Sequence, residues 1–508
     1  MHRVRHFSTG MTGLSKNLFV DIKLPTGKSI QQPIGLYING EWVTSEKMIE
    51  TICPYTETPI TSVYAATEKE VDQAVKAARN AFKAWKKVPG EERAKMLFKL
   101  ARLTEEHVDE LASIEAIDTG KPKDFNAKAD VDGTAALMEH CGGWADKIVG
   151  SAIPVSHNKF AYTIKEPLGV VGLIVPWNYP LSMAAWKIAP ALAAGNCIVI
   201  KSAENTPLSL LKYATLIEKA GFPPGVVNIV SGYGAECGNA ISSHPNIDKV
   251  SFTGSTGVGQ VVQQAASNNL KVVTLECGGK SPLIVFEDAD LEQAAKWASF
   301  GVMYNSGQNC TANSRLYVHE KVYDEFILIY KATILADYPM GDPFDADSRL
   351  GPVISKIQFD KVSAYIEKGK QEGATLVLGN ESVPSPGYWI APTVFADCNE
   401  SMTVVKEEIF GPVVTISKFL SQEEVLEKAN NSDYGLAAMV FTKDIARAHQ
   451  CASELEAGSV YINSSNDEDI RVPFGGYKMS GVGRELGQEG IDIYTQTKSI
   501  HVNLGVKM

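Results

Sequence analysis

Patterns that mark disulfide-linked, metal-binding or membrane-spanning proteins are sparse in this sequence. The eight cysteines are scattered without paired spacing, which is typical of a reducing compartment and argues against a disulfide framework. The nine histidines are equally scattered and no C-x-x-C pair occurs, so we expect no metal site. No run reaches the roughly 18 apolar residues needed to cross a bilayer, so we expect no membrane-spanning helix.

Basic charge is also scarce. A formal net charge of −11 argues against nucleic acid and against an anionic membrane as partners, because both are themselves negative. Hydrophobic residues make up 44% and charged residues 21% of the chain, which is ordinary for a soluble globular protein. At 508 residues the chain is too long for a single hydrophobic core, and we expect two or three domains.

Residues 1–20 differ in composition from the rest of the chain. They contain Arg3 and Arg5, and the first acidic residue is Asp21. This composition is typical of a mitochondrial transit peptide, and Arg5 stands two positions before an aromatic residue, as at a presequence cleavage site. We therefore predict the mitochondrial matrix as the location. A cytoplasmic form that starts at Met11, or a plain disordered tail, is the alternative.

Short strands and long helices are predicted before residue 169. LYINGEWV predicts a hairpin with Asn39 and Gly40 at its turn. Apolar periodicity predicts three helices, over 67–89, 91–117 and 127–147. The segment KFAYTIKEPLG then predicts a short strand pair.

From Gly169 onward, apolar strands alternate with helical segments. The first strands are predicted over 170–175, 196–201, 226–230, 248–253 and 271–276. Repeated strand–helix–strand units favour a parallel, doubly wound sheet. A second alternating series predicts another α/β domain, with strands near 282–286, 314–318, 413–419 and 459–463. The late segment IDIYTQTKSIHVNL alternates too, and predicts an edge strand that pairs with another subunit.

Two chemically useful side chains lie within the stretch 271–314. Glu276 ends the strand pattern KVVTLE, and Gly278 and Gly279 then let the backbone turn tightly. Cys310 lies in the polar segment SGQNC and not in an apolar run, so an accessible, reactive thiol is plausible. Taken singly, such a cysteine is more often a small core residue, and such a glutamate is more often solvated.

The residues of this stretch resemble two signatures of the aldehyde dehydrogenase superfamily. TLECGGKSP resembles the glutamate signature, in which leucine usually stands at the position of Cys277. FGVMYNSGQNCTANSR resembles the cysteine signature. The resemblance extends from about Gly35 to the C-terminus, and the chain is similar to the non-acylating, NAD(P)-dependent members of the fungal type or of the betaine and aminoaldehyde dehydrogenase type.

The resemblance implies an α/β fold in three parts. A doubly wound, parallel-sheet NAD-binding domain is expected over 21–148 and 167–278, and a second α/β domain, the catalytic one, over 279–478. A small β extension for oligomerisation is expected over 149–166 and 479–508. A homodimer or homotetramer is implied in turn.

A glycine-containing loop in KVSFTGSTGVGQVV follows a predicted strand and begins a helix. Such a loop lets a pyrophosphate approach the backbone at a helix N-terminus, although a plain tight turn gives the same pattern. The family has G-S-T-x-x-G at this point, so the resemblance implies NAD as the cofactor. The contacts are expected at Gly254, Ser255, Val258 and Gly259.

Further coenzyme contacts are implied by matched positions. Lys201 and Glu204 match contacts to the adenosine ribose, and the Glu204 carboxylate would repel a 2′-phosphate, which favours NAD over NADP. Glu408 and Phe410 match residues that hold the nicotinamide ribose and pack on its ring. The remaining matched positions are Ile174, Pro176, Trp177, Gly234, Gln358 and Lys361.

The resemblance also implies a covalent mechanism. The Cys310 thiolate attacks the aldehyde carbon, and the Asn178 amide stabilises the oxyanion together with the Cys310 backbone N–H. Hydride transfer to the nicotinamide gives a thioester, which water activated by Glu276 hydrolyses to the acid. Lys187 and Glu485 match positions that the family links to proton transfer behind Glu276.

The expected substrate is a small aldehyde that enters an aromatic funnel formed by Tyr179, Trp186 and Phe474. Every aldehyde dehydrogenase needs an apolar funnel, but an aromatic box can also hold a quaternary ammonium group. The acidic residues at 467–469, with Asp130 and Asp132, are expected near the mouth and would attract cationic aldehydes. A solvated acidic loop is the alternative interpretation.

Other activities remain open at this point. A CoA-acylating dehydrogenase would pass the acyl group to CoA, and Glu276 argues against it because that chemistry omits a hydrolytic base. A non-catalytic binding protein on the same fold is disfavoured by the joint presence of Cys310, Glu276 and Asn178. A cysteine hydrolase is less favoured still, since no histidine lies in the matched motifs.

Overall fold

Two large sheets organise the chain in the computed structural model, which describes residues 18–508. The first sheet has five central parallel strands and antiparallel strands at both edges. From edge to edge its strands are Gly481–Val482, Val272–Glu276, Lys249–Thr253, Val170–Ile174, Cys197–Ser202, Val227–Ser231, Leu36–Ile38 and Glu41–Val43. The parallel strands match the predicted ranges to within one residue at each end, which confirms the parallel, doubly wound sheet.

The central strands of the first sheet are buried on both faces, as continuous apolar runs in a parallel sheet require. The helices of this unit are Glu68–Trp85, Gly90–Glu106, Val108–Thr119, Lys128–Trp144, Pro180–Ala194, Leu208–Ala220, Asn239–Ser243 and Thr256–Ala266. The predicted hairpin is also present. Its turn residues Asn39 and Gly40 both have positive φ, 56° and 79°, as a two-residue hairpin turn requires.

The helix predicted over 91–117 is wrong in one respect, because the structure divides it at His107. The backbone there leaves the helical region, with φ −114° and ψ 16°. The His107 Nδ1 atom lies 2.8 Å from the carbonyl oxygen of Leu103, at the end of the preceding helix. The second helix is buried on every side from Leu111 onward, whereas an amphipathic surface helix buries one face.

The second sheet has seven strands and carries the rest of the α/β alternation. In order they are Thr375–Leu378, Thr393–Ala396, Val413–Phe419, Arg315–His319, Pro282–Val285, Ala437–Phe441 and Ser459–Ile462. All neighbours are parallel except the first pair. The helices of this unit are Leu291–Met303, Tyr323–Asp337, Lys356–Gln371, Thr403–Lys406, Gln422–Asn430 and Ile445–Glu454. The four predicted strands are confirmed, and three further strands were not predicted.

A three-stranded sheet forms the extension, in the order Thr495–Asn503, Lys159–Pro167, Ala152–Ser156. The late segment was expected to pair with another subunit, but it pairs here with Lys159–Pro167 of its own chain and leaves its other edge open. Two-stranded pairs complete the chain: Phe19–Lys23 with Ser29–Pro33, Lys47–Cys53 with Thr58–Ala65, and Tyr434–Gly435 with Tyr477–Lys478.

The structure divides the segment 479–508 between two places. Gly481–Val482 is an edge strand of the first sheet, and the helix Glu489–Asp492 follows in the same unit. The segment joins the three-stranded sheet only from Thr495. The proposed domain boundaries otherwise stay predictions.

The predicted transit peptide, residues 1–20, falls mainly on residues 1–17, which lie outside the described residues, while Phe19 already begins a strand. Across 18–508, none of the helices combines the length and the apolar character needed to span a membrane.

Candidate active site

A cavity of about 530 Å³ lies where the carboxyl ends of the first sheet meet the second unit. Its wall begins with residues that directly follow two parallel strands, at Pro176 and at Gly254, and continues with Glu276 at the end of a third. The carboxyl ends of parallel strands meet at one edge, which is where open α/β sheets bind ligands. Cys310 reaches the same cavity from the second unit.

The two predicted signatures are in direct backbone contact. A Cβ atom added at Gly279 would lie 2.4 Å from the carbonyl oxygen of Cys310, so only glycine allows this approach. Before the cysteine, Asn305, Ser306 and Gly307 all have positive φ, between 52° and 71°. The chain is thus bent into a rare conformation that turns Cys310 into the cavity.

The Cys310 thiol is half-buried, and its Sγ atom lies 3.9 Å from Oδ1 of Asn309. Burial raises the pKa of this thiol, and the carboxylates of Glu468, Glu408 and Glu276 raise it further. The side chain is therefore a neutral thiol at neutral pH in the absence of other charges.

Glu276 lines the same cavity and is only 4% exposed. Neither carboxylate oxygen has a hydrogen-bond partner among the described residues. Burial, and next the nearby Glu485 carboxylate, raise the pKa of Glu276 well above its usual range. Beside it, the buried ammonium of Lys187 donates to Glu485, whose Oε1 also accepts from the Ser251 hydroxyl at 3.1 Å.

Asn178 is fixed at two points. Its side-chain Nδ2 donates to the carbonyl oxygen of Gln308 at 2.9 Å. Its backbone carbonyl accepts from Lys121 Nζ at 2.8 Å and from Asn305 Nδ2 at 2.9 Å. Because a primary amide has two N–H groups, one remains for a ligand in the cavity.

A buried cluster of Lys121, Glu115, Asp130 and Tyr179 lies behind Asn178, and the sequence analysis did not predict it. This buried ammonium donates to Asp130 at 2.6 Å, lies 3.8 Å from a Glu115 carboxylate oxygen, and sits 4.5 Å from the centre of the Tyr179 ring. A lysine between a glycine and a proline carries no sequence signal for such a position. The contact with the Asn178 carbonyl shows that the cluster supports the cavity wall.

The expected coenzyme loop has the anticipated form. Lys249–Thr253 leads through Gly254 and Ser255 into the helix Thr256–Ala266, and the space around Gly257 is open. Gly259 lies in the first helical turn, where an added Cβ would meet the sulfur of Cys277 at 2.8 Å.

The opposite side of the cavity holds the second expected coenzyme group. The rings of Trp177 and Phe410 meet edge to face, with centroids 5.3 Å apart. Glu408 accepts from the backbone N–H of Gly279 at 3.0 Å. Gln358 Nε2 donates to the Phe410 carbonyl at 2.7 Å, which ties this loop to the helix Lys356–Gln371.

The cavity brings together most, but not all, of the predicted site residues. On its wall are Pro176, Trp177, Asn178, Tyr179, Trp186, Gly254, Ser255, Glu276, Cys310, Gln358, Lys361, Glu408, Phe410, Phe474 and Glu485. Away from its wall are Ile174, Lys187, Lys201, Glu204, Gly234, Val258 and Gly259. Lys201 and Glu204 form a separate ion pair of 3.1 Å, with Gly234 beside the Glu204 carboxylate.

The acidic mouth differs from the expectation. Of the loop 467–469 only Glu468 lines the cavity, while Asp469 forms an ion pair of 2.6 Å with Arg471. Asp130 lines the cavity but is neutralised by Lys121, and Asp132 is exposed elsewhere on its helix. Residues that sequence reasoning missed on the same wall include Met183, Phe300, Tyr304 and Ile470.

Comparisons with known proteins agree with this site. The model of the aldehyde dehydrogenase family matches residues 42–500. The chain is 54% identical over 501 residues to aldehyde dehydrogenase (NAD(P)+) 1 of Saccharomyces cerevisiae, covering 96% of this chain and 99% of that protein.

Two solved structures are similar as well. The NAD+ complex of an aldehyde dehydrogenase from Bacillus cereus has TM-score 0.90 and 49% identity, covering 93% of this chain and 97% of that one. A betaine aldehyde dehydrogenase from Staphylococcus aureus in complex with NAD+ has TM-score 0.91 and 39% identity, covering 94% and 96%. The match of the family model over residues 42–500 and the 54% identity to a full-length relative show that the chain belongs to the aldehyde dehydrogenase family.

Proposed function

We propose that this protein oxidises aldehydes to carboxylic acids with NAD as hydride acceptor, through a thiohemiacetal and a thioester on Cys310. The observation that carries the proposal is the meeting of Cys310, Glu276 and Asn178 in one cavity with the glycine-containing loop. A thiol, a carboxylate and an amide donor are the groups that nucleophilic attack, hydrolysis and oxyanion stabilisation need.

The residues present fit a dinucleotide. The N-terminus of helix Thr256–Ala266 opens towards space beside Gly257, where a pyrophosphate would meet free backbone N–H groups. The Glu204 carboxylate, held by Lys201, would accept from ribose hydroxyls and repel a 2′-phosphate. Glu408 and Phe410 would hold the nicotinamide end near Cys310. NAD therefore fits better than NADP.

In the first step, the Cys310 thiol gives up its proton to water, the thiolate sulfur forms a bond to the aldehyde carbon, and the carbonyl π electrons move to oxygen. The free N–H of Asn178 would donate to this oxyanion. NAD, when bound, would supply the hydride acceptor, and its positive ring would favour the Cys310 thiolate over the thiol. Loss of hydride from the thiohemiacetal carbon leaves a thioester on Cys310.

In the second step, Glu276 takes a proton from water while the water oxygen attacks the thioester carbon. The C–S bond then breaks, which releases the carboxylic acid and the Cys310 thiolate. Because its pKa is raised, Glu276 must first lose a proton at neutral pH. We propose that the Lys187–Glu485 pair provides the route for that proton.

We propose amino- or trimethylammonio-aldehydes as the substrate class. Support comes from the aromatic wall of Tyr179, Trp186 and Phe474 and from the Glu468 carboxylate in the same cavity. The rings of Trp186 and Phe474 meet edge to face, with 5.1 Å between centroids, and give the cavity wall an apolar surface for the carbon chain.

The proposed assembly rests on the family resemblance, and the proposed location rests on the composition of residues 1–20. We propose a homodimer or homotetramer that docks through the three-stranded sheet, whose strand Ala152–Ser156 is exposed along its whole length. We also propose import into the mitochondrial matrix through residues 1–20. Light scattering in solution and import of a fluorescent fusion of residues 1–20 test the two proposals separately.

The experiment that tests the activity is steady-state kinetics on a panel of neutral and cationic aldehydes, with NAD and NADP in parallel. We expect NADH formation with the free acid as product. Turnover that requires CoA and yields an acyl-CoA would replace the proposal with the acylating reaction, and no turnover with any aldehyde would refute it.

A further inference from the structure

Glu468 is set apart from the other acidic residues near the cavity. Its neighbour Asp467 is exposed away from the wall, Asp469 is paired with Arg471, and Asp130 is paired with Lys121. Glu468 instead lines the cavity, with its side chain exposed to the interior space. Apart from Glu276, two cavity carboxylates form no ion pair with a described lysine or arginine: Glu408, which accepts from the Gly279 N–H on the coenzyme side, and Glu468 on the loop before Phe474.

The position of Glu468 is fixed by the second sheet. The hydroxyl of Tyr461, in the edge strand Ser459–Ile462, donates to Glu468 Oε1 at 3.3 Å. The other oxygen is left for a ligand. The Glu468 charge raises the pKa of the Cys310 thiol, as the charges of Glu408 and Glu276 do. A group bound at Glu468 would therefore lie within electrostatic range of the nucleophile.

The aromatic wall is less suited to a quaternary ammonium group than its composition suggests. One face of the Tyr179 ring already carries the Lys121 ammonium at 4.5 Å. The other two rings, Trp186 and Phe474, meet each other edge to face, so part of their surface is used in that contact. An aromatic cage needs several free ring faces around one cation.

We propose that Glu468 is a specificity-determining residue that binds the primary ammonium group of an ω-aminoaldehyde, with Tyr461 holding the carboxylate in place. This inference rests on the proposed aldehyde oxidation. A primary ammonium donates charge-assisted N–H···O bonds to a carboxylate, whereas a trimethylammonium group has no N–H to donate. The site therefore selects primary amines over quaternary ones of equal chain length.

The test compares three aldehydes of matched length: an ω-aminoaldehyde, its trimethylammonio analogue and a neutral alkanal. In Glu468→Gln we expect kcat/KM for the aminoaldehyde to fall by about 10- to 100-fold, the effect of losing a hydrogen bond to a charged group. The fall for the trimethylammonio aldehyde is expected to be several times smaller, and that for the alkanal smaller again.

Asp467→Asn is the matched control, since it removes one negative charge from the next residue without touching the cavity wall. We expect it to change none of the three values by more than about twofold, as for an exposed charge. Equal losses for all three aldehydes in Glu468→Gln, or equal losses for the two cations, would overturn the proposal. Oxidation of the alkanal by the wild-type protein shows separately that the proposed activity stands.

Discussion

Two carboxylates line the cavity near Cys310, and they differ in their surroundings. We call the part of the wall that carries Glu276 the catalytic wall, and the part that carries Glu468 the binding wall. Glu276 lies at the buried end of the strand Val272–Glu276, is almost inaccessible, and its carboxylate has no hydrogen-bond partner among residues 18–508. Glu468 lies on a loop, faces the interior of the cavity and accepts from Tyr461. A partnerless buried carboxylate changes its protonation easily and suits proton transfer. A carboxylate that is held in place and reached by ligands suits binding.

The largest expected effect concerns the thiol between the two walls. Replacing Cys310 with Ala should lower kcat by about 10⁴-fold or more, because the covalent step is lost. Binding of NAD, measured by calorimetry, should stay close to the wild-type value, since other residues hold the coenzyme. Near-normal turnover in Cys310→Ala would show that neither wall acts on a thioester.

Glu276→Gln sharpens the contrast on the catalytic wall. We expect steady-state turnover to fall by about 10²- to 10⁴-fold, the range for loss of a general base. Rapid mixing should still show a burst of NADH, because acylation precedes the step that needs Glu276. If burst and steady rate are both normal, Glu276 is not the base.

A pH series probes the binding wall. The surrounding cavity wall keeps bulk water from Glu468, and this desolvation raises the pKa of the carboxyl to about 7, assisted by the Asp467 charge and opposed by the Tyr461 hydrogen bond. Its carboxylate form, which attracts an ammonium group, prevails above that pH. The preference for an aminoaldehyde over an alkanal should therefore rise up to about tenfold between about pH 6 and 8, as one titration allows.

In Glu468→Gln, the preference for the aminoaldehyde over the alkanal should not change with pH. The other titratable groups whose charges couple to Glu468 are Cys310, Tyr179, Tyr304, Tyr461 and Asp467. The pKa values of the three tyrosines are raised above their ordinary values, so these side chains stay neutral over that range. The preference is the kcat/KM of the aminoaldehyde divided by that of the alkanal. Titration of Cys310 changes both values alike, so it cancels in this ratio. A ratio that does not change with pH would assign the preference to another group.

The smallest effect is expected at a third carboxylate that lies outside the cavity. Burial raises the pKa of Glu204, but the Lys201 ammonium outweighs it together with backbone N–H groups, and the net pKa is lowered. Glu204→Ala should weaken NAD by about 2- to 10-fold, the value of a single hydrogen bond, and narrow the gap to NADP. An unchanged ratio of the two KM values would place ribose recognition elsewhere.

The sequence predicted the catalytic wall better than the binding wall for a physical reason. A strand such as Val272–Glu276 is an apolar run ended by glycines, and both features are local in the chain. The partner of Glu468 is a tyrosine on a strand edge, and Lys121 reaches Asn178 across 57 positions. Such contacts depend on packing between segments that are distant in the chain, and local periodicity carries no information about that packing.

The strands and helices show in the same way which features the local sequence does and does not predict. The parallel strands of the first sheet were predicted closely, because full burial requires a continuous apolar run. Ala437–Phe441 was missed although it is fully buried, since its alanines have low strand propensity. The break at His107 contains neither glycine nor proline, and so nothing in the local sequence indicates it.

The edge strand Gly481–Val482 has a consequence for the order in which the protein matures. It pairs with Leu275 and Glu276, and Glu485 follows it to meet Lys187. During synthesis the strand that ends at Glu276 therefore waits with an open edge until residues more than 200 positions later have left the ribosome. The nucleophile is made in that interval as well, so a nascent chain holds its reactive thiol before the wall that controls it is complete.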